Sequence, residues 1–76
     1  MPKLPVLKGK ELIRVLIKLG FFEYHRVGSH AQFKHNDGRI ITVPVHGGKD
    51  IMTGTLRGII NDLGMSVEEF IEQLKK

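Results

Sequence analysis

The sequence predicts an α+β fold: a helix, three antiparallel strands, a second helix and a short extra helix at the end. The helices cover one face of the sheet. Three observations predict this. Two stretches repeat apolar residues at helical spacing, Leu12, Leu16 and Leu19 in the first, and Leu56, Ile59, Ile60 and Leu63 in the second. The stretch between them is rich in aromatic and β-branched residues, as strands are. Two turn signals, Gly28-Ser29 and Asn36-Asp37-Gly38, cut that stretch into three.

In chain order, residues 1–8 form an extended lead-in, kept off helix by Pro2 and Pro5. The spacing predicts a helix over 10–19, with Ile13 and Ile17 flanking its apolar stripe. Glu11, Arg14 and Lys18 take the opposite face, where Glu11 is placed to pair with Arg14, and Gly20 stops the helix. Strands follow over 21–27, 30–35 and 39–45. By alternation His30, Gln32 and Lys34 share one face of the middle strand, and Ala31 and Phe33 the other. Ile41, Val43 and Val45 mark the core face of the third strand. Pro44 cannot donate to a ladder, so that strand should lie at an edge or carry a bulge.

His46-Gly47-Gly48-Lys49-Asp50 is a glycine-rich loop leading into a helix over 52–63, which Gly64 ends. Ser66 and Glu69 make a capping box for a last helix whose apolar face is Val67, Phe70, Ile71 and Leu74. Each long helix has one apolar stripe, so both must cover the same face of the sheet. The other face stays open and carries His30, Gln32 and Lys34. This is the shape of a double-stranded-RNA-binding-like sandwich.

Bulk properties narrow the function. A chain of 76 residues is expected to be one domain, 1–76. It has no cysteine, which rules out disulfides and thiolate metal sites and fits a reducing cytoplasm. No apolar run approaches the roughly 20 residues of a membrane span. Pro2, Lys3, Pro5 and Lys8 interrupt any signal-peptide core. The net charge of +4 is uneven: residues 1–35 hold seven basic and two acidic side chains, the middle of the chain balances, and residues 65–76 carry −1. That asymmetry suggests a polyanion-facing side, against the alternative of an ordinary solvated surface.

The chemistry centres on Gly28-Ser29-His30. A histidine right after a tight turn stands at the rim of a sheet, on a rigid element. Its ordinary pKa of about 6.5 suits it to exchange protons near neutrality. An ordinary strand histidine is the alternative. Gly28 would let a phosphate approach closely, and Ser29 could hold the imidazole or simply serve the turn. The loop from His46 to Lys49 could cradle a phosphate through its amides near a helix start, or merely connect two elements. Lys34, Arg39 and Lys49 are candidate phosphate contacts. His25 and His35 are expected to be structural or merely exposed. The four histidines show no ligand spacing, so no metal site is expected.

Five motifs in register resemble the HicA toxins. They are Gly28-Ser29-His30, Asp37-Gly38-Arg39, the segment Val43-Pro44-Val45-His46-Gly47-Gly48-Lys49, Gly54-Thr55-Leu56-Arg57-Gly58-Ile59-Ile60, and the tail from Gly64 to Phe70. Gly9-Lys10-Glu11-Leu12 and Leu19-Gly20-Phe21 also match. The resemblance implies a metal-independent mRNA interferase, an endoribonuclease of a type II toxin–antitoxin system with a double-stranded-RNA-binding-like fold. It implies neutralisation by a HicB antitoxin, a catalytic histidine at His30 and no cofactor. The chain departs from many members at Ala31, Asn36 and Met52, which stand where a histidine and two prolines are common. A non-catalytic RNA-binding module of the same fold is the competing function, with His30 a contact residue only. A protein-interaction adaptor would leave the basic residues unexplained.

Overall fold

The apolar repeat after the lead-in winds into α1 (Gly9–Lys18), followed by β1 (Phe22–Val27), β2 (His30–Lys34), β3 (Ile40–Pro44), α2 (Thr53–Asp62) and α3 (Val67–Lys75). This is a computed structural model, and it describes residues 3–76. The expectation for Met1 and Pro2 lies outside the described residues. The order is the expected one, with a three-stranded antiparallel sheet in the order β1-β2-β3.

Leu12, Val15 and Leu16 of α1 are fully buried. Val15 is the residue the simple stripe omits; it lies three residues after Leu12 and completes the seam. Ile17 is turned out of that seam and is 59% exposed. Glu11 does not wait for Arg14. Its Oε1 accepts the Lys8 N–H at 3.0 Å, because the first amides of a helix have no partner within it.

Ala31 and Phe33 of β2 pair with Val43 and Ile41 of β3, and all four are buried. On the other face His30 pairs with Pro44, Gln32 with Thr42 and Lys34 with Ile40. Pro44 therefore lies on an edge strand, where its missing N–H costs no ladder bond. Gly9 lets the first turn of α1 press on that strand, since a Cβ there would meet the Pro44 carbonyl at 3.1 Å. One cluster of buried residues joins α1, the sheet, α2 and Phe70 of α3.

β1 departs from the alternating picture. All six of its residues are exposed, and a bulge between Glu23 and His25 leaves Tyr24 without a register partner. Phe21, expected inside the strand, precedes it and is buried. The His35 ring meets Phe21 edge-on at 4.9 Å, and the Arg39 guanidinium lies 5.1 Å over the same ring. His35 and Arg39 leave the strands to form the hairpin neck, where the His35 N–H donates to the Arg39 carbonyl at 2.9 Å.

At α3 the predicted capping box is present: the Glu69 N–H donates to Ser66 Oγ at 3.1 Å and the Ser66 N–H to Glu69 Oε1 at 2.8 Å. These bonds to Ser66 hold the Glu69 carboxyl below its ordinary pKa. A depressed carboxyl stabilises the fold above its unfolded pKa, and the effect is lost as pH falls through the folded one. Acid titration followed by far-UV circular dichroism should therefore fray α3 in the wild type. Glu69→Gln keeps a box-forming side chain without a titrating group, so its helicity should hold to lower pH. Identical titrations for the two proteins would refute this role for Glu69.

Candidate active site

The site begins with a two-residue hairpin. Val27 and His30 pair across it, and Gly28 adopts φ +56° while, among the described residues, no non-glycine residue has positive φ. Glycine at the first loop position is what a type II′ turn requires, so Gly28 has a conformational reason to be there. The turn sets His30 at the start of β2, exposed on the face away from the helices.

The end of β3 is tied to this turn. The Val45 N–H donates to the Ser29 carbonyl at 2.6 Å. The next residue is His46, whose ring centre lies 6.0 Å from that of His30 with the planes crossing at 84°. The loop then folds back through a turn in which the Lys49 N–H donates to the His46 carbonyl at 3.1 Å. Between sheet, loop and the start of α2 lies an open cleft of about 360 Å³. Its walls include His30, Thr42, His46, Lys49, Asp50 and Thr55, with Pro44, Ile51 and Met52 as apolar surface.

The lead-in fastens the loop. The Ile51 N–H donates to the Leu7 carbonyl at 2.7 Å, and the Lys8 ammonium reaches both Asp50 Oδ1 at 3.1 Å and the Gly48 carbonyl at 3.0 Å. Lys8, a member of the basic N-terminal half, is thus held at the cleft margin by a carboxylate and a carbonyl.

Of the residues singled out from sequence, the structure brings His30, His46 and Lys49 into one cleft. Lys34 is exposed on the same face as His30, four residues along β2 and so roughly 13 Å away. Gly28 and Ser29 shape the turn behind the cleft and do not line it. Arg39 is elsewhere. It sits at the far end of the sheet, donating to Asp37 Oδ2 at 2.8 Å and to the Leu63 carbonyl that closes α2, also at 2.8 Å. Arg39 also holds the Asp37 carboxyl below its ordinary pKa, chiefly through the backbone N–H that it donates to Asp37 Oδ1 and to a lesser degree through its guanidinium.

The basic excess of residues 1–35 is likewise dispersed. Lys18 donates to the Gln73 and Lys76 carbonyls at the end of α3, and Arg26 pairs with Glu23 at 3.0 Å. Lys10 and Arg14 lie on the outer side of α1, behind the sheet. Neighbours in sequence are not neighbours on one surface. Thr42, Pro44, Asp50, Ile51, Met52 and Thr55 line the cleft without having been expected there. Of these Thr42 and Pro44 could have been found, since both fall by alternation on the His30 face.

Residues 9–65, about three-quarters of the chain, match the family described as the HicA toxin of bacterial toxin–antitoxin systems. The chain belongs to the HicA toxin family. The matched segment of this HicA-family toxin contains every residue that lines the cleft. No curated protein matches the chain closely enough to stand as a relative. Among the described residues no helix is long and apolar enough to cross a membrane, and no three His, Cys, Asp or Glu side chains converge as metal ligands.

The Lys8 clamp is open to test. Lys8 and Asp50 are both about half exposed, so an ion pair of this kind is worth no more than about 1 kcal/mol to global stability. Lys8→Met should leave the melting temperature nearly unchanged while speeding amide exchange at Lys49 and Asp50. Unchanged exchange in the loop would show that the Leu7–Ile51 bond alone holds it.

Proposed function

We propose that this HicA-family toxin is an endoribonuclease that cleaves messenger RNA with His30 as its general acid–base group and without a metal. The observation that carries the reading is the placement of His30: exposed, at a rigid strand start, on the wall of a cleft it shares with His46 and Lys49. Proton transfer by a positioned imidazole is how a protein cleaves RNA through the ribose 2′-hydroxyl without metal help. The cleft falls within the roughly 300–1,000 Å³ typical of small-ligand sites, enough for a nucleotide unit. Pro44, Ile51 and Met52 offer a base an apolar wall, and Lys49 offers a phosphate its charge. Lys34, on the same face, extends the path of the backbone. Such an enzyme acts in the cytoplasm, where its substrate is.

The same face supports a HicB-type antitoxin as the restraining partner. Phe22, Val27 and Ile40 are 46%, 62% and 51% exposed and by register share the face of His30. A partner that buries them closes the cleft mouth in the same act.

The deciding measurement is cleavage of messenger RNA by His30→Ala. The variant should keep the wild-type circular dichroism and melting temperature, because His30 is exposed and supports no core contact. Its cleavage rate should fall about a hundred- to ten-thousand-fold, the usual worth of an acid–base group. A folded His30→Ala protein that still cleaves would overturn the assignment of His30, and a wild type that binds RNA without cleaving it would favour the non-catalytic RNA-binding module. For the partner, Val27→Lys should weaken binding of a HicB-type antitoxin about tenfold or more while sparing RNA cleavage. Unaltered affinity would move the antitoxin off this face.

A further inference from the structure

The cleft contains a second imidazole that a single-histidine mechanism leaves without a task. His46 arrives from a different element than His30, yet the backbone fixes the two together. The Ser29–Val45 bond joins the segments that precede each ring, and the turn closed by Lys49 restrains the far side of His46. The ring centres lie 6.0 Å apart with the planes crossing at 84°. Rings whose centres lie this close can both hydrogen-bond to oxygens of one phosphodiester bound between them, at about 2.8 Å each. Lys49 and Asp50 are the other charged residues lining the cleft, and Asp50 is engaged by Lys8.

Resting on the ribonuclease reading above, we propose that His46 is a second catalytic residue, and that His30 and His46 work as a base–acid pair on one RNA phosphodiester. Cleavage at a ribose needs two proton transfers. One neutral imidazole takes the 2′-hydroxyl proton as the 2′-oxygen forms its bond to phosphorus. The other ring, protonated, gives its proton to the 5′-oxygen as the bond between phosphorus and that oxygen breaks. The products are a 2′,3′-cyclic phosphate and a 5′-hydroxyl. One ring has gained a proton and the other has lost one, so the step needs no co-reactant. Solvent exchange restores both rings for the next turnover.

A ring packed beside His30 only to steady the loop predicts something different, and the leaving group separates the two cases. The experiment uses the full chain and an oligonucleotide spanning a mapped cleavage point, with a single ribose there. In a second version of the substrate the leaving 5′-oxygen is replaced by sulfur, which departs as a thiolate without needing a proton. Wild type, His30→Ala and His46→Ala are compared on both. His46→Gln, which hydrogen-bonds but cannot shuttle a proton, is a further variant that guards against disturbance of the loop. On ordinary RNA both histidine positions should show losses of about a hundredfold or more. On the sulfur substrate one position, the acid, should recover to within about tenfold of wild type, and the other, the base, should not.

Wild-type-like cleavage of ordinary RNA by the His46 variants overturns the proposal. Loss at both positions with recovery at neither, or at both, overturns it too. Full activity of His30→Ala instead removes His30 from the reading on which the proposal rests, and no cleavage by the wild type removes the ribonuclease reading itself.

Discussion

The inward anchoring of β2 is the constraint on which the rest of the molecule depends. Phe33 is 1% exposed and Ala31 is sealed completely, and both face Ile41 and Val43 beneath the helices. A strand has a side-chain period of two, so a slip of one residue would carry the whole apolar set into water. Losing a buried phenylalanine costs about 3–5 kcal/mol, a large share of the roughly 5–15 kcal/mol that hold such a domain together. The core therefore decides which way His30 points. An exposed group with no core contacts of its own inherits its position from the least exposed pair on the same strand. The Ser29–Val45 bond passes that order on to His46.

Features that depend on local chemistry were legible in the sequence. The alternation of β2, the glycine turns, the Ser66–Glu69 box and the edge position of Pro44 each follow from a few adjacent residues, and each is present. What was not legible depends on competition between partners. Glu11 had two, Arg14 on its own helix face and an orphan amide at Lys8, and the amide won. β1 reads as an ordinary strand, but nothing local says that it lies beyond the cover of the helices. Its helix-side positions go to Glu23 and Arg26, while Phe22 and Val27 share the open face of His30 and Tyr24 sits in the bulge, so these three large side chains are exposed.

The site shows the same division. His30, His46 and Lys49 were legible as individual candidates because each lies beside a turn or in a glycine-rich loop. Their convergence was not, since it needs the pairing of β2 with β3 and a lead-in strap between residues 42 apart in the chain. Arg39 misleads for the opposite reason. A cation after a hairpin turn looks available, but here the turn aspartate, a helix-end carbonyl and an aromatic ring share it. The apparent basic half of the sequence dissolves in the same way, into separate contacts on several sides of the fold.

α3 lies beyond the segment that defines the family, which ends at residue 65. Phe70 on that helix is nevertheless completely buried, and Lys18 of α1 reaches the carbonyls at its end. The boundary drawn by family likeness and the boundary drawn by packing thus differ by one helix. A protein cut at the first would keep every residue of the cleft and lose a phenyl ring from the middle of its core. A chain break between Gly64 and Ser66 would thus disable the protein from its interior, with every side chain of the cleft still present.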